Sequence, residues 1–81
     1  MRLLDRMQRN PASDWTIRDV ETVCGQAGLR CAPATGGGSH YNVRHPSQPL
    51  ILTIPARRPI KPFYIRALVK MIRDVQQGDA P

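Results

Sequence analysis

Eight prolines in 81 residues, at positions 11, 33, 46, 49, 55, 59, 62 and 81, limit how long any regular element can run. Proline removes a backbone donor and fixes one dihedral angle, so it ends helices and is kept out of sheet ladders. The gaps between Pro11 and Pro62 leave room for one helix and three short strands. The stretch after Pro62 is free of proline up to Pro81, and Pro62 itself suits the first turn of a longer helix there. A chain of 81 residues makes one small domain with one economical core.

Within those limits the pattern predicts each element. Residues 1–9 read as a short accessory helix with Leu3, Leu4 and Met7 on one face, closed by Asn10-Pro11. The core follows over residues 16–77. Thr16 is an N-cap with Asp19 completing a variant capping box, and Trp15 is placed to staple against Val20. Ile17, Val20, Cys24 and Ala27 share one helical face; Gly28 supplies the left-handed position after it, and Leu29 folds back toward Cys24. Leu29–Ala32 reads as an edge strand, and Pro33-Ala34-Thr35 with the glycine run 36–38 as a connection. Ser39–Arg44 is the second strand, with Tyr41 and Val43 on one face and His40, Asn42 and Arg44 on the other. After a His45–Pro49 turn, Leu50–Ile54 is the third strand, with Leu50, Leu52 and Ile54 inward and Ile51 and Thr53 outward beside His40. A basic loop, Pro55–Lys61, leads into a helix that reaches about Gln77 and buries Ile65, Leu68, Val69, Ile72 and Val75, while Arg66, Lys70 and Arg73 lie off that stripe. Residues 78–81 read as a frayed tail. The expected fold is therefore α+β: helix, three antiparallel strands, helix, with both helices on the one apolar face of the sheet and a short extra helix in front.

Charge narrows the class of partner. The formal charge is +6, and it is unevenly spread. The first 21 residues hold four acidic and four basic side chains, whereas Thr22 to Arg73 contains no acidic residue and eight basic ones. That is the footprint of a polyanion-binding surface, nucleic acid above all, although charge alone leaves a merely solvated face or an acidic protein partner open. Cys24 and Cys31 can form one bridge at most. With no secretory signal ahead of them they read as reduced thiols of a cytoplasmic protein, and no apolar run is long enough to span a bilayer.

Several chemistries fail on inventory. Ser39 and His40 are strand neighbours pointing to opposite faces, and no carboxylate lies between Glu21 and Asp74 to orient the histidine, so a hydrolase triad is not available. Cys24, Cys31, His40 and His45 lack the cysteine spacing of a zinc site. The run Thr35–Ser39 lacks the Gly-Lys-Ser/Thr ending of a phosphate loop and leads into a strand. What survives is His40. An imidazole can take a proton from a ribose 2′-hydroxyl or give one to a leaving 5′-oxygen. Arginines can stabilise the charged phosphorane, and no metal is then required. Asn42 and Arg44 share the His40 face, and Arg57, Arg58 and Lys61 are further phosphate contacts. His45, about 16 Å further along an extended strand and on the other face, reads as a turn residue. From these residues alone, an RNA-cleaving domain and an RNA-binding domain stand level.

Four pieces in combination tip that balance: Gly38-Ser39-His40-Tyr41, Arg44-His45-Pro46, Leu52-Thr53-Ile54-Pro55, and Ile60-Lys61-Pro62 opening a helix with Ile65 and Leu68. Over about Thr16 to Ile72 the chain resembles the HicA toxins of bacterial type II toxin–antitoxin systems. The resemblance implies an α-β-β-β-α fold like the double-stranded-RNA-binding domain and a cofactor-free mRNA interferase activity dependent on His40. It also implies a HicB-type antitoxin that masks the RNA-binding face and represses the operon, so that operator DNA is met only through that partner. The expected site is then His40 as the catalytic group, with Gly38, Ser39, Asn42, Arg44, Arg57, Arg58 and Lys61 as RNA contacts and no metal. The helix over residues 1–9 lies outside the family pattern. So do the two extra glycines ahead of Gly38, where a basic residue is often found.

Overall fold

The best-specified helix forms where the sequence supplies both of its caps. In the computed structural model, which describes residues 2–36 and 38–78, α1 spans Arg2–Arg9, α2 Ile17–Ala27 and α3 Pro62–Gln76, and the strands are β1 Arg30–Pro33, β2 His40–Arg44 and β3 Leu52–Pro55. Gly37 of the glycine run and residues 79–81 of the expected tail lie outside the described residues. At the start of α2 the Thr16 hydroxyl accepts from the Asp19 amide at 3.3 Å while the Asp19 carboxylate accepts from the Thr16 amide at 2.9 Å, a complete capping box. At its end Gly28 takes φ +81°, and the Leu29 amide donates back to the Cys24 carbonyl at 2.9 Å.

The three strands form one antiparallel sheet in the order β1-β2-β3. Register decides its two faces. Cys31 pairs with Val43 and Pro33 with Tyr41, and on the other side Val43 pairs with Leu52 and Tyr41 with Ile54. These residues make the covered face, on which Val43 and Ile54 are fully buried. Arg30 pairs with Arg44, Ala32 with Asn42, Asn42 with Thr53, and His40 with Pro55, and these make the opposite face. Helix α2 packs against β1 and α3 against β3, with the two helices touching each other. The molecule is 19 Å through its thin dimension, which is one sheet and one helical layer, so the His40 face is left open.

The architecture matches the expected α+β order, but β1 runs Arg30–Pro33 rather than Leu29–Ala32, β2 starts at His40 rather than Ser39, β3 ends on Pro55 rather than Ile54, and four further details differ. The first concerns α1, which is not accessory. Leu4 and Met7 are fully buried in the common core, and α1 lies along α3, where Arg73 reaches back to Asp5 at 2.7 Å and to Gln8 at 2.8 Å. The second is the third strand, which begins at Leu52 rather than Leu50. The sheet's pairing ends at Arg30–Arg44 and Val43–Leu52, so a side chain at position 50 has no layer above it, and Leu50 is 79% exposed rather than inward. Third, Val23 joins the buried face of α2. Fourth, Met71 joins that of α3 while Val75 is only half-buried, because α3 is covered on one side by the sheet and on another by α1. Among the described residues no helix is long and apolar enough to cross a membrane.

Candidate functional site

The open face of the sheet is built by alternation along one strand. Starting β2 at His40 puts His40, Asn42 and Arg44 on the side away from the helices. His40 and Arg44 are exposed, and Asn42 is half-buried. Across the ladders the same face gains Arg30 beside Arg44 and Thr53 beside Asn42. The Thr53 hydroxyl donates to Asn42 Oδ1 at 2.9 Å, which engages the amide's oxygen and leaves its NH2 as the donor group. Among the described residues, none of the side chains on this face is acidic, and neither Arg30 nor Arg44 has a salt-bridge partner. Two like charges directly opposite each other in a sheet repel, and an anion bound between them would lessen that repulsion. Arg30, Arg44, Asn42 and Thr35 line a shallow hollow of about 260 Å³ there.

His40 stands at the end of the face where β2 meets β3. It lies directly opposite Pro55, and the adjoining strand ends are held by the Ala56 amide donating to the Ser39 carbonyl and the Ala34 amide to the His40 carbonyl. Gly38 enters the strand with φ +88°, which a side chain would resist, and no heavy atom stands within 4 Å of where its Cβ would be. Gly38 and Ser39 are both exposed, so that the approach to His40 is unobstructed on this side. No described side chain hydrogen-bonds the His40 ring. Four residues of extended strand separate His40 from Arg44, about 14 Å, which is too far for the two to meet on one phosphate when both stand upright from the sheet.

The basic loop carries the other expected contacts, and its members differ in availability. Arg57 and Lys61 are exposed and, among the described residues, have no acidic partner. Arg58 is held by Asp14, its Nη2 at 2.6 Å from Oδ2 and its Nε at 3.0 Å from Oδ1. That guanidinium hydrogen bond holds the Asp14 carboxyl below its ordinary value. The loop is also tied to the linker before α2 by the Ile60 amide donating to the Trp15 carbonyl at 2.8 Å. No carboxylate stands near Arg58 in the sequence; folding brings one from 44 residues away.

The remaining candidates separate from this site. His45 Nδ1 lies 2.8 Å from the Ser47 hydroxyl and accepts the Ser47 amide at 3.1 Å, which is turn chemistry. Tyr41 is half-buried on the covered face. Cys24 is buried and Cys31 half-buried, and the nearby Cys31 thiol together with burial pushes the Cys24 thiol far up. His40 and His45 thus lie at opposite ends of β2, away from the cysteine pair, and among the described residues no three histidine, cysteine or acidic side chains come close enough to hold a metal ion. Compared with protein families, with curated proteins and with solved structures, the chain matches none.

Proposed function

We propose that the chain is a small ribonuclease of the HicA type, an mRNA interferase acting in the cytoplasm and neutralised by a HicB-type antitoxin, on a fold like the double-stranded-RNA-binding domain. The observation that carries this reading is the company His40 keeps: an exposed imidazole on the one uncovered sheet face, in line with Asn42 and Arg44, with Arg30 alongside.

In this reading RNA lies along the open face. His40 takes the proton from a ribose 2′-hydroxyl; the 2′-oxygen forms a bond to phosphorus as the bond to the 5′-oxygen breaks, that oxygen leaves taking a proton from solvent water, and the imidazolium then returns its proton to solvent. The products are a 2′,3′-cyclic phosphate and a 5′-hydroxyl. Arg57, two residues beyond the Pro55 that faces His40, is the cation best placed to meet charge on the reacting phosphate. Arg44 and Arg30 hold a different phosphate of the same strand, and the Asn42 amide supplies a donor between them. The unpartnered His40 ring supports a second reading, a non-catalytic RNA-binding module of the same fold.

One comparison separates the two. In chelator, purified parent is expected to cleave a structured messenger, and His40→Ala to lose at least about a hundredfold in rate while keeping its unfolding midpoint, since the ring is exposed. RNA binding without cleavage by either protein establishes the binding module instead. Equal cleavage by both removes His40 from the chemistry.

A further inference from the structure

A cleft of about 500 Å³ opens beside the His40 strand end, lined by Pro55, Arg57, Arg58, Pro59, Lys61 and Tyr64. His40 itself is not in it. The two are neighbours because His40 and Pro55 are direct partners across the β2–β3 ladder, which sets their Cβ atoms about 5 Å apart. The wall chemistry is mixed in a particular way. Two proline rings and a tyrosine ring offer flat apolar surface, the exposed Arg57 and Lys61 have no acidic partner among the described residues, and no described acidic side chain lines the cleft. Its members are held in place before any ligand arrives. Tyr64 is half-buried and edge-on to Phe63, ring centroids 5.2 Å apart at 85°; Arg58 is clamped by Asp14; and the loop is pinned at Ile60. A preformed cleft of this size that pairs flat rings with cations suits a planar group carrying a phosphate.

We propose that this cleft is a nucleobase subsite that receives the unpaired nucleotide flanking the phosphate at His40, with the base against Tyr64 and the prolines and its phosphate toward Arg57 and Lys61. The inference rests on the ribonuclease reading and deepens it: base preference of cleavage is set here, by Tyr64 and the proline rings, which do not touch the reacting atoms, rather than on the sheet. Tyr64 is the specificity-determining residue.

The test titrates full-length protein with the four nucleoside monophosphates, ribose 5-phosphate, inorganic phosphate and an acidic peptide, following backbone amide NMR shifts. At least one nucleotide is expected to shift the amides of residues 56–61 and 64 saturably and to bind about tenfold more tightly than ribose 5-phosphate, the margin one stacked base provides. Tyr64→Leu should reduce that preference to within about twofold, and Lys61→Gln should weaken all phosphate probes alike while preserving it. Equal affinity for nucleotide and ribose 5-phosphate, equal shifts from the acidic peptide, shifts centred away from the cleft, or a preference that survives Tyr64→Leu or is lost in Lys61→Gln each overturns the subsite. Should Tyr64→Leu not fold, the parent titration and Lys61→Gln still decide. Messenger cleavage run in parallel keeps the two claims apart. Intact, His40-dependent cleavage without cleft shifts overturns the subsite alone, and cleft shifts without cleavage overturn the nuclease alone.

Discussion

At the scale of single residues, cations that look alike in sequence do different work. Arg44 and Arg30 face each other across the open sheet with no described acidic partner, whereas Arg58 is occupied by Asp14 and Arg73 by Asp5. These engaged arginines act on stability, and the sign is fixed by linkage. The hydrogen bonds from Arg58 and Arg73 hold Asp14 and Asp5 below their ordinary value of 3.8. A carboxylate depressed in the folded state stabilises it fully above the ordinary value and stops doing so as pH falls through the lower one. The urea midpoint of Asp14→Asn should therefore lie slightly below the parent's at neutral pH, with the gap closing below about pH 4. Both side chains are exposed, so the gap is small. A gap that widens as the solution is acidified would show that Asp14 does not act through its charge.

At the scale of elements, α1 is where the energetic reading and the sequence reading part company. Leu4 and Met7 look like the apolar side of an optional appendage, yet both are fully buried against the rest of the core. Leu4→Ala is accordingly expected to destabilise the whole domain by about 2–5 kcal/mol, measured as a single cooperative urea transition; a loss under 1 kcal/mol would return α1 to accessory status. Signals confined to a few residues were legible beforehand. Thr16, Asp19 and Gly28 bracket α2 because caps act within one turn, and Pro62 opens α3 for the same reason. The alternation of β2 correctly put His40, Asn42 and Arg44 on one face. What the sequence did not reveal depends on where other elements stop. Leu50 has the right residue type for a buried strand, but the paired sheet ends at Val43–Leu52 and leaves it outside. Met71 is buried because α1 and the sheet both cover α3, which no periodicity within α3 can state. In the candidate site the same limit hid the Asp14–Arg58 pair, the closeness of Pro55 to His40, and the place of Tyr64 in the cleft next to them.

At the scale of the molecule, all three helices lie in one layer on the covered side of the sheet, and the open side is basic, with no acidic side chain on it among the described residues. In a slab 19 Å thick, the uncovered cationic face is complementary in charge to a polyanion, the partner that the proposed function requires. If Arg30, Arg44, Arg57 and Lys61 each neutralise one phosphate of a single strand, the logarithm of RNA affinity should fall with the logarithm of salt concentration with a slope of about −3. Arg44→Ala should make that slope shallower by about 0.7; an unchanged slope would remove the open sheet face from the binding surface. The central claim is narrower than binding: His40 activates a ribose 2′-oxygen of RNA held on this face. The most direct measurement is cleavage, in chelator, of a messenger fragment carrying a single 2′-deoxy nucleotide at its main cleavage position, with analysis of the product ends. The account predicts cleavage of the all-ribose fragment to a 2′,3′-cyclic phosphate and a 5′-hydroxyl, and none at the deoxy position. Cleavage at the deoxy position, or 5′-phosphate ends, would mean that water and not the 2′-oxygen attacks, and would contradict it.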